Sequence, residues 1–407
     1  MYKQEDNLLK KKISIGISIT ERNFIQFLEN NSHYFLFLIT TIFALLIRKD
    51  QVYFVAGDYV LSLEPWSEYL VLNGGFAGIP TLDSDYNVAY LYILALINYL
   101  PLSLLVKIKA VSFFFDFTTA FFVMLIIRHI FQMDKKNLLP YLAYGAALFA
   151  PPVLLNSAVW GQCDIIYTCF ITISIYLFLR KEVTWAFVSY GLALAFKLQA
   201  LFVLPVIFFL YFKERKFSAL NFLLIPLMNF IVYVPAWILG KPLSEIFSAY
   251  TYQVGEYLAL VLNYSNFYSL LPANYEYFSR TGMILLFAIL LVFYITLFSS
   301  KVKLRDKDYI VVTMITVMLC TYFLPAMHER YMFSGDLLAV IFLFIYPHRF
   351  YVPLMIWFIN ANAYLPALYG FGPIVDYRSM SLVYLGLLCL IVYQLFRDKL
   401  VVIAAEN

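Results

Sequence analysis

Charge is what this chain has least of. Only 13% of its 407 residues are Asp, Glu, Lys or Arg, about half the share of a soluble globular chain. That supply cannot cover a water-facing surface, which excludes an ordinary soluble domain. Cysteine is scarce as well. The four, Cys163, Cys169, Cys320 and Cys389, all lie in apolar segments, and their spacing suits neither a zinc site nor a disulfide framework. No small-residue cleavage site follows the first apolar run, which therefore reads as an uncleaved helix rather than a signal peptide. No lipidation motif is visible at either end. Internal repeats and low-complexity linkers are lacking too. This points to one integral domain over 1–407 and away from the repeated halves common among transporters. The net charge of +4 is modest and gives no sign of a nucleic-acid partner.

Apolar sequence fills the space instead. Hydrophobic residues make up 63% of the chain, the mean hydropathy is +0.79, and many apolar runs approach the roughly 20 residues that cross a bilayer as a helix. The expected fold is an all-α integral membrane protein, a polytopic bundle of about 12 transmembrane helices. The spans fall near 34–48, 107–128, 138–157, 163–180, 184–198, 199–213, 217–239, 281–299, 309–326, 331–346, 350–367 and 379–396. With 1–33 as a cytoplasmic N-terminal segment, alternate loops carry Arg128, Lys135 and Lys136, then Arg180 and Lys181, Lys213, Arg215 and Lys216, Lys301 to Lys307, Arg349, and Arg397 with Lys399. This positive-inside pattern puts both termini in the cytoplasm. The run 88–105 is apolar enough to span, but Pro101 interrupts it. Counting it would also send the basic segment 128–136 outside. It is read as part of a large first external loop, 49–106, with helices on the membrane surface. A second large external loop is expected at 240–280.

On this topology the ionisable residues collect on the outer side. Asp58, Glu64, Asp83 and Asp85 lie in the first external loop. Asp164 follows Trp160-Gly-Gln162 at the outer end of a helix, Lys197 and Gln199 occupy an outer turn, and His328, Glu329 and Arg330 form another. Charged groups within a bilayer cost several kcal/mol and usually mark function, so their gathering on one face suggests a cavity opening outward. Each also has a plainer reading. Asp58 could cap the helix that follows it, and His328 and Glu329 could be turn residues, although Gly, Asn or Ser would serve there at less cost. Lys197 is harder to explain away, because it interrupts LALAFKLQALFVLP far from an obvious snorkelling position. The Asp83-Ser-Asp85 pair looks like a DxD metal motif, but two nearby acids in a loop are common.

Four blocks carry a resemblance. The first is Gly57-Asp-Tyr59, Pro65-Trp66, Gly74-Gly-Phe76, Asp85-Tyr-Asn87 and Tyr90-Leu-Tyr92. The others are Asn156-Ser-Ala-Val-Trp-Gly-Gln-Cys-Asp164, Phe196-Lys-Leu-Gln199 and His328-Glu-Arg-Tyr331. In this order they resemble bacterial membrane proteins related to the GPI-anchor mannosyltransferases, within the GT-C class of glycosyltransferases. The resemblance implies a GT-C-like helical bundle with an essential acid in the large first external loop. It also implies transfer of a mannose-like or other hexose from a polyprenyl-phosphate donor to a glycan or glycolipid acceptor. Transfer would occur with inversion, on the outer face of the cell membrane.

Asp58 falls on the position of the loop acid and Asp164 on a second acidic position. The chemistry needs a base for the acceptor hydroxyl, for which an oriented carboxylate serves; Asp58 is the expected catalytic residue. The leaving polyprenyl phosphate gains negative charge, so cations should face it. Arg330, with its planar fork, is expected there, helped by Lys197 and His328, with Glu329 holding a cation or binding sugar hydroxyls. Trp160 offers an aromatic face to a sugar, Gln162 and Gln199 offer donors and acceptors, and Asp85 and Tyr86 complete the expected substrate-binding set. No cofactor is expected with certainty; a divalent metal is a possible but unpredicted addition. The competing reading is a polytopic transporter or flippase of lipid-linked sugars.

Overall fold

Long runs of apolar residues can satisfy their backbone groups away from water only as helices or closed barrels, and here they form helices. A computed structural model describes residues 18–247, 250, 258–299 and 304–406, with side chains to 398. Residues 1–17 of the cytoplasmic segment expected at 1–33, the loop residues Lys301 and Lys303, and part of the 240–280 loop lie outside the described residues. The helices, in order, are α1 (Ile19–Gln51), α2 (Glu64–Leu72), α3 (Val88–Ile97), α4 (Leu104–Ile130), α5 (Leu139–Phe149), α6 (Asp164–Leu179) and α7 (Val183–Phe196). They continue as α8 (Leu204–Glu214), α9 (Leu224–Ile238), α10 (Tyr275–Ser299), α11 (Asp306–Phe323), α12 (Phe333–Ile345), α13 (Tyr351–Tyr369) and α14 (Tyr377–Glu406). Among the described residues the only strands are β1 (Val261–Leu262) and β2 (Met327–His328), paired in parallel.

Five helical segments are long and apolar enough to cross a membrane: Ile19–Gln51, Leu104–Ile130, Ala219–Ile238, Tyr275–Ser299 and Tyr377–Asp398. A sixth arises if α5 and Pro151–Trp160, bent by 47°, make one broken span. The protein is thus an all-α membrane protein. The first helix begins earlier than the expected 34, because Ser18 and Glu21 form a reciprocal capping box that satisfies two of the free amides of the first turn.

Helix α3 departs from the surface-lying helix expected in the first loop. Its sequence, VAYLYILALI, is apolar on all sides, and a helix without a polar face seeks burial. Most of it is buried, packed against α2, α7 and α9. The loop from 49 to 106 is therefore built into the bundle at this point.

Two buried cations anchor α1 to its neighbours. Arg48 Nε donates to Asp116 Oδ2 of α4 at 2.8 Å, and Nη2 donates to the Leu148 carbonyl of α5 at 3.1 Å. Ser157 Oγ donates to the same Asp116 oxygen at 2.6 Å. Lys109 Nζ donates to the carbonyls of Gln51 and Phe54 at 2.8 and 2.7 Å, which caps the end of α1 and pins the strand of chain leading to Asp58. Both side chains of the Arg48–Asp116 pair are fully buried. Removing one partner leaves an uncompensated charge, whereas replacing both is tolerated far better. Arg48→Ala should therefore cost about 3–5 kcal/mol in detergent unfolding experiments, and Arg48→Met combined with Asp116→Leu should cost less than either single change.

Candidate functional site

Irregular backbone builds the site. Asp58 precedes a π-helical turn, Tyr59–Leu63, that runs directly into α2. A second π-helical segment, Leu154–Trp160, ends at Gly161, whose φ of 78° is left-handed. A side chain at Gly161 would be strained in that conformation, and its Cβ would stand 3.4 Å from the Lys109 stem. The turn delivers Asp164 as the first residue of α6, where the helix N-terminus favours a carboxylate. Lys197 is fully extended, φ −153° and ψ 137°, in the break between α7 and the 3-10 turn Leu198–Val203. The β1–β2 pairing, Leu262 opposite His328, holds the segment that carries Glu329 and Arg330.

These breaks converge on Asp164. Its Oδ1 accepts from Lys197 Nζ at 2.5 Å, and its Oδ2 accepts from Asn156 Nδ2 at 2.9 Å. Arg330 Nε approaches Asp164 Oδ2 at 3.9 Å. The same guanidinium donates to Glu329 Oε1 at 3.0 Å through Nη1, and Nη1 lies 3.6 Å from Asp58 Oδ2. Its carbon sits 5.7 Å from the Trp160 ring centre, a cation–π position. Gln162 Nε2 donates to Asp58, while its Oε1 accepts from Tyr86 at 3.1 Å. The Tyr86 ring in turn faces Lys197 Nζ at 5.7 Å.

Sequence reasoning placed Asp58, Tyr86, Trp160, Gln162, Asp164, Lys197, Glu329 and Arg330 in one site from four distant stretches, and all eight meet in this cluster. His328 Nδ1 stands 3.8 Å from Glu329 Oε2 at its edge. Asp85 lies close enough for Arg330 and Asp58 to act on its charge. Gln199 is buried beyond Lys197, and its Oε1 has no hydrogen-bond partner. The alternative role of Asp58 as a helix cap is not the one seen: it makes no side-chain cap bond and turns to Gln162 and Arg330 instead. Among the described residues no three His, Cys, Asp or Glu side chains come together as metal ligands, so Asp83 and Asp85 acquire no third acid. Sequence reasoning missed Asn156 as a partner of Asp164, although it opens the Asn156–Asp164 block. It also missed Tyr364, whose ring meets Trp160 edge-on at 5.5 Å; the polar letters of NANAYLP, unusual inside an apolar helix, were the available signal.

The electrostatics are unequal across the cluster. Asp58 keeps 39% of its side chain exposed, whereas Asp164 is fully buried and Arg330 is 17% exposed. Burial works against the Arg330 charge, but Glu329, Tyr86, Asp58 and Asp164 hold the guanidinium firmly protonated. Burial would likewise raise the Glu329 carboxyl; the hydrogen bond from His328 and the charges of Arg330 and His328 prevail and hold it below its ordinary value. Burial pushes Asp85 up, its own backbone amide and Arg330 pull it down, and Asp83 and Asp58 add to the rise, leaving it above the usual range. Arg330 Nε is buried and makes no hydrogen bond. The cluster can therefore offer a fixed cation with an unused donor beside a partly exposed carboxylate.

A comparison with protein-family models gives no match, and no curated protein matches significantly.

The lowered Glu329 carboxyl has a stability consequence with a definite sign. A group whose pKa is depressed on folding stabilises the fold above its unfolded value, about 4.3 for Glu, and that contribution is lost as pH falls through the folded value. Thermal unfolding from about pH 6 to about pH 3 should show this acid loss in the native chain. Glu329→Gln should melt lower at neutral pH and show a shallower acid dependence.

Proposed function

We propose that the protein is a GT-C type membrane glycosyltransferase that moves a hexose from a polyprenyl-phosphate donor to a glycan or glycolipid acceptor. In this reading the chain crosses the cell membrane about twelve times, with both termini cytoplasmic and the Asp58–Arg330 cluster facing outward. The observation that carries it is the juxtaposition of a largely buried, firmly protonated Arg330, whose Nε makes no hydrogen bond and lies 3.9 Å from Asp164, with the partly exposed carboxylate of Asp58, 3.6 Å from Nη1. A cation with a free donor suits a phosphate. A carboxylate with one open side suits a base.

The reaction follows from these roles. Asp58 accepts the proton of the acceptor hydroxyl as its oxygen bonds to the anomeric carbon. The bond from that carbon to the phosphate oxygen breaks on the opposite side, which inverts the configuration, and polyprenyl phosphate leaves with the electron pair. Arg330, backed by Lys197, faces the charge that grows on this phosphate, where fixed cations in a water-poor site act most strongly. Trp160 stands under the guanidinium and holds it by a cation–π contact, with the ring itself buried. Glu329 and Asp164 keep the two cations in place, and Gln162 orients Asp58 through the Tyr86–Gln162–Asp58 chain.

The test uses purified chain with radiolabelled polyprenyl-phosphate hexoses and a mixture of membrane glycolipids as acceptors. Asp58→Asn should lose roughly 100- to 10,000-fold in transfer while unfolding at the native temperature. Retention of most activity would remove Asp58 as the base. Sealed vesicles in which labelled donor crosses the bilayer without forming product would instead identify a flippase.

A further inference from the structure

An open cleft of about 570 Å³ lies beside the segment that carries Glu329 and Arg330, and its volume is that of a small-molecule site. One wall is formed by Leu260, Val261 and Tyr268, the other by Asp376, Tyr377 and Arg378 at the head of α14. Hydrogen bonds hold both walls in place. The Tyr268 hydroxyl donates to the Phe323 carbonyl at 2.8 Å, and Ser381 Oγ of α14 donates to the Asn266 carbonyl at 2.7 Å. The cleft is therefore a fixed part of the bundle.

Two features join it to the Asp58–Arg330 cluster. The Ala326 amide donates to the Leu260 carbonyl at 2.8 Å, and Val261 stands opposite Met327 in the β1–β2 pair. Paired strands lie about 4.8 Å apart, so this wall runs one strand spacing from the backbone that leads through His328 to Glu329. On the other wall, the Glu329 charge acts on Tyr377, whose buried hydroxyl makes no hydrogen bond. Glu329 in turn accepts from Arg330 at 3.0 Å.

Position and chemistry together select the kind of ligand. Helix α10, from Tyr275, and the segment Tyr377–Asp398 are both long and apolar enough to cross a membrane. Both begin in the cleft. In a bilayer this places the cleft at the boundary, where tyrosines are favoured and a lipid-borne molecule can enter. Most of the lining is apolar, and its two charges offset one another. Asp376 is fixed by the Ser379 amide at 3.0 Å, while Arg378 makes no hydrogen bond or ion pair among the described residues. A phosphate entering here would meet the carboxylate as well as the guanidinium. A sugar uses both, since each hydroxyl can donate to one and accept from the other. We propose that this cleft is the subsite for the acceptor, a glycolipid with an uncharged sugar headgroup, which reaches the cluster from the Glu329 side. The assignment as acceptor rests on the transferase reading.

The experiment is photolabelling of the full purified chain in lipid nanodiscs, with the label mapped by mass spectrometry. The probes are dodecyl mannoside, glucoside and galactoside, each with a diazirine in the alkyl chain. At least one should label peptides from 258–275 or 376–378 saturably, and excess polyprenyl phosphate should not displace it. Ala273→Trp fills the cleft from an exposed loop position without removing a polar group; it should cut labelling by at least about tenfold. Arg378→Leu should raise the half-saturating concentration several-fold. Absence of saturable labelling by all three probes overturns the proposal, as does labelling that Ala273→Trp leaves untouched. Displacement by polyprenyl phosphate also overturns it, since the cleft would then hold the donor. Labelling needs no turnover, so the two readings fail separately. Hexose transfer without labelling refutes the cleft alone, whereas labelling of a chain that transfers no hexose refutes the transferase reading and leaves a glycolipid-binding cleft.

Discussion

The polar cluster depends on the compensation of one fully buried carboxylate, Asp164. A charge in the helical interior survives only with partners in good geometry, and Asp164 recruits them from three other segments: Lys197 at 2.5 Å, Asn156 at 2.9 Å and Arg330 at 3.9 Å. Each partner comes from a place where regular helix fails. Removing the acid would leave Lys197 and Arg330 as buried cations without their shared neighbour. The pair Arg48–Asp116 repeats the same logic near the end of α1. Around these two pairs, helices that are otherwise interchangeable apolar rods acquire a fixed arrangement.

Helix interruptions convert that arrangement into a site. A continuous helix turns its side chains around a cylinder, and it cannot aim several polar groups at one point. The π-helical turns at Tyr59–Leu63 and Leu154–Trp160, the left-handed Gly161 and the extended Lys197 do so. Such turns are rare and recur at functional positions. Part of their backbone is rewired: the Gln162 amide reaches back to the Asn156 carbonyl at 3.0 Å, and Ser112 of α4 donates to the Gln162 carbonyl at 3.0 Å. The irregular backbone is thereby satisfied by protein groups, as non-helical segments of membrane proteins require where they face no water.

Sequence reasoning reached some of this and not the rest, for physical reasons. Charges in apolar runs are costly enough to stand out, so Asp164, Lys197 and Arg330 could be singled out before any geometry was known. Membrane character was legible from 13% charge alone. Partnerships were not. Arg48 and Asp116 are 68 residues apart, and nothing in either run says which faces of α1 and α4 meet. The β1–β2 ladder is two residues long on each side, too short for any alternation to register. The burial of α3 was readable in its all-round apolar sequence, yet Pro101 and the charge pattern drew attention to the membrane surface instead.

The central claim is that the Arg330 guanidinium is the anchor for a lipid-linked phosphate. Its Nε has no hydrogen bond, its carbon sits 5.7 Å from the Trp160 ring centre, and the partly exposed acid Asp58 stands 3.6 Å away. Equilibrium binding of a fluorescent polyprenyl phosphate to the purified chain addresses it directly, because the phosphate is present and no sugar chemistry is required. The account predicts saturable binding to the native chain and a loss of at least about tenfold in Arg330→Gln, equivalent to about 1.4 kcal/mol, with the fold intact. Equal affinity in the two proteins would contradict it.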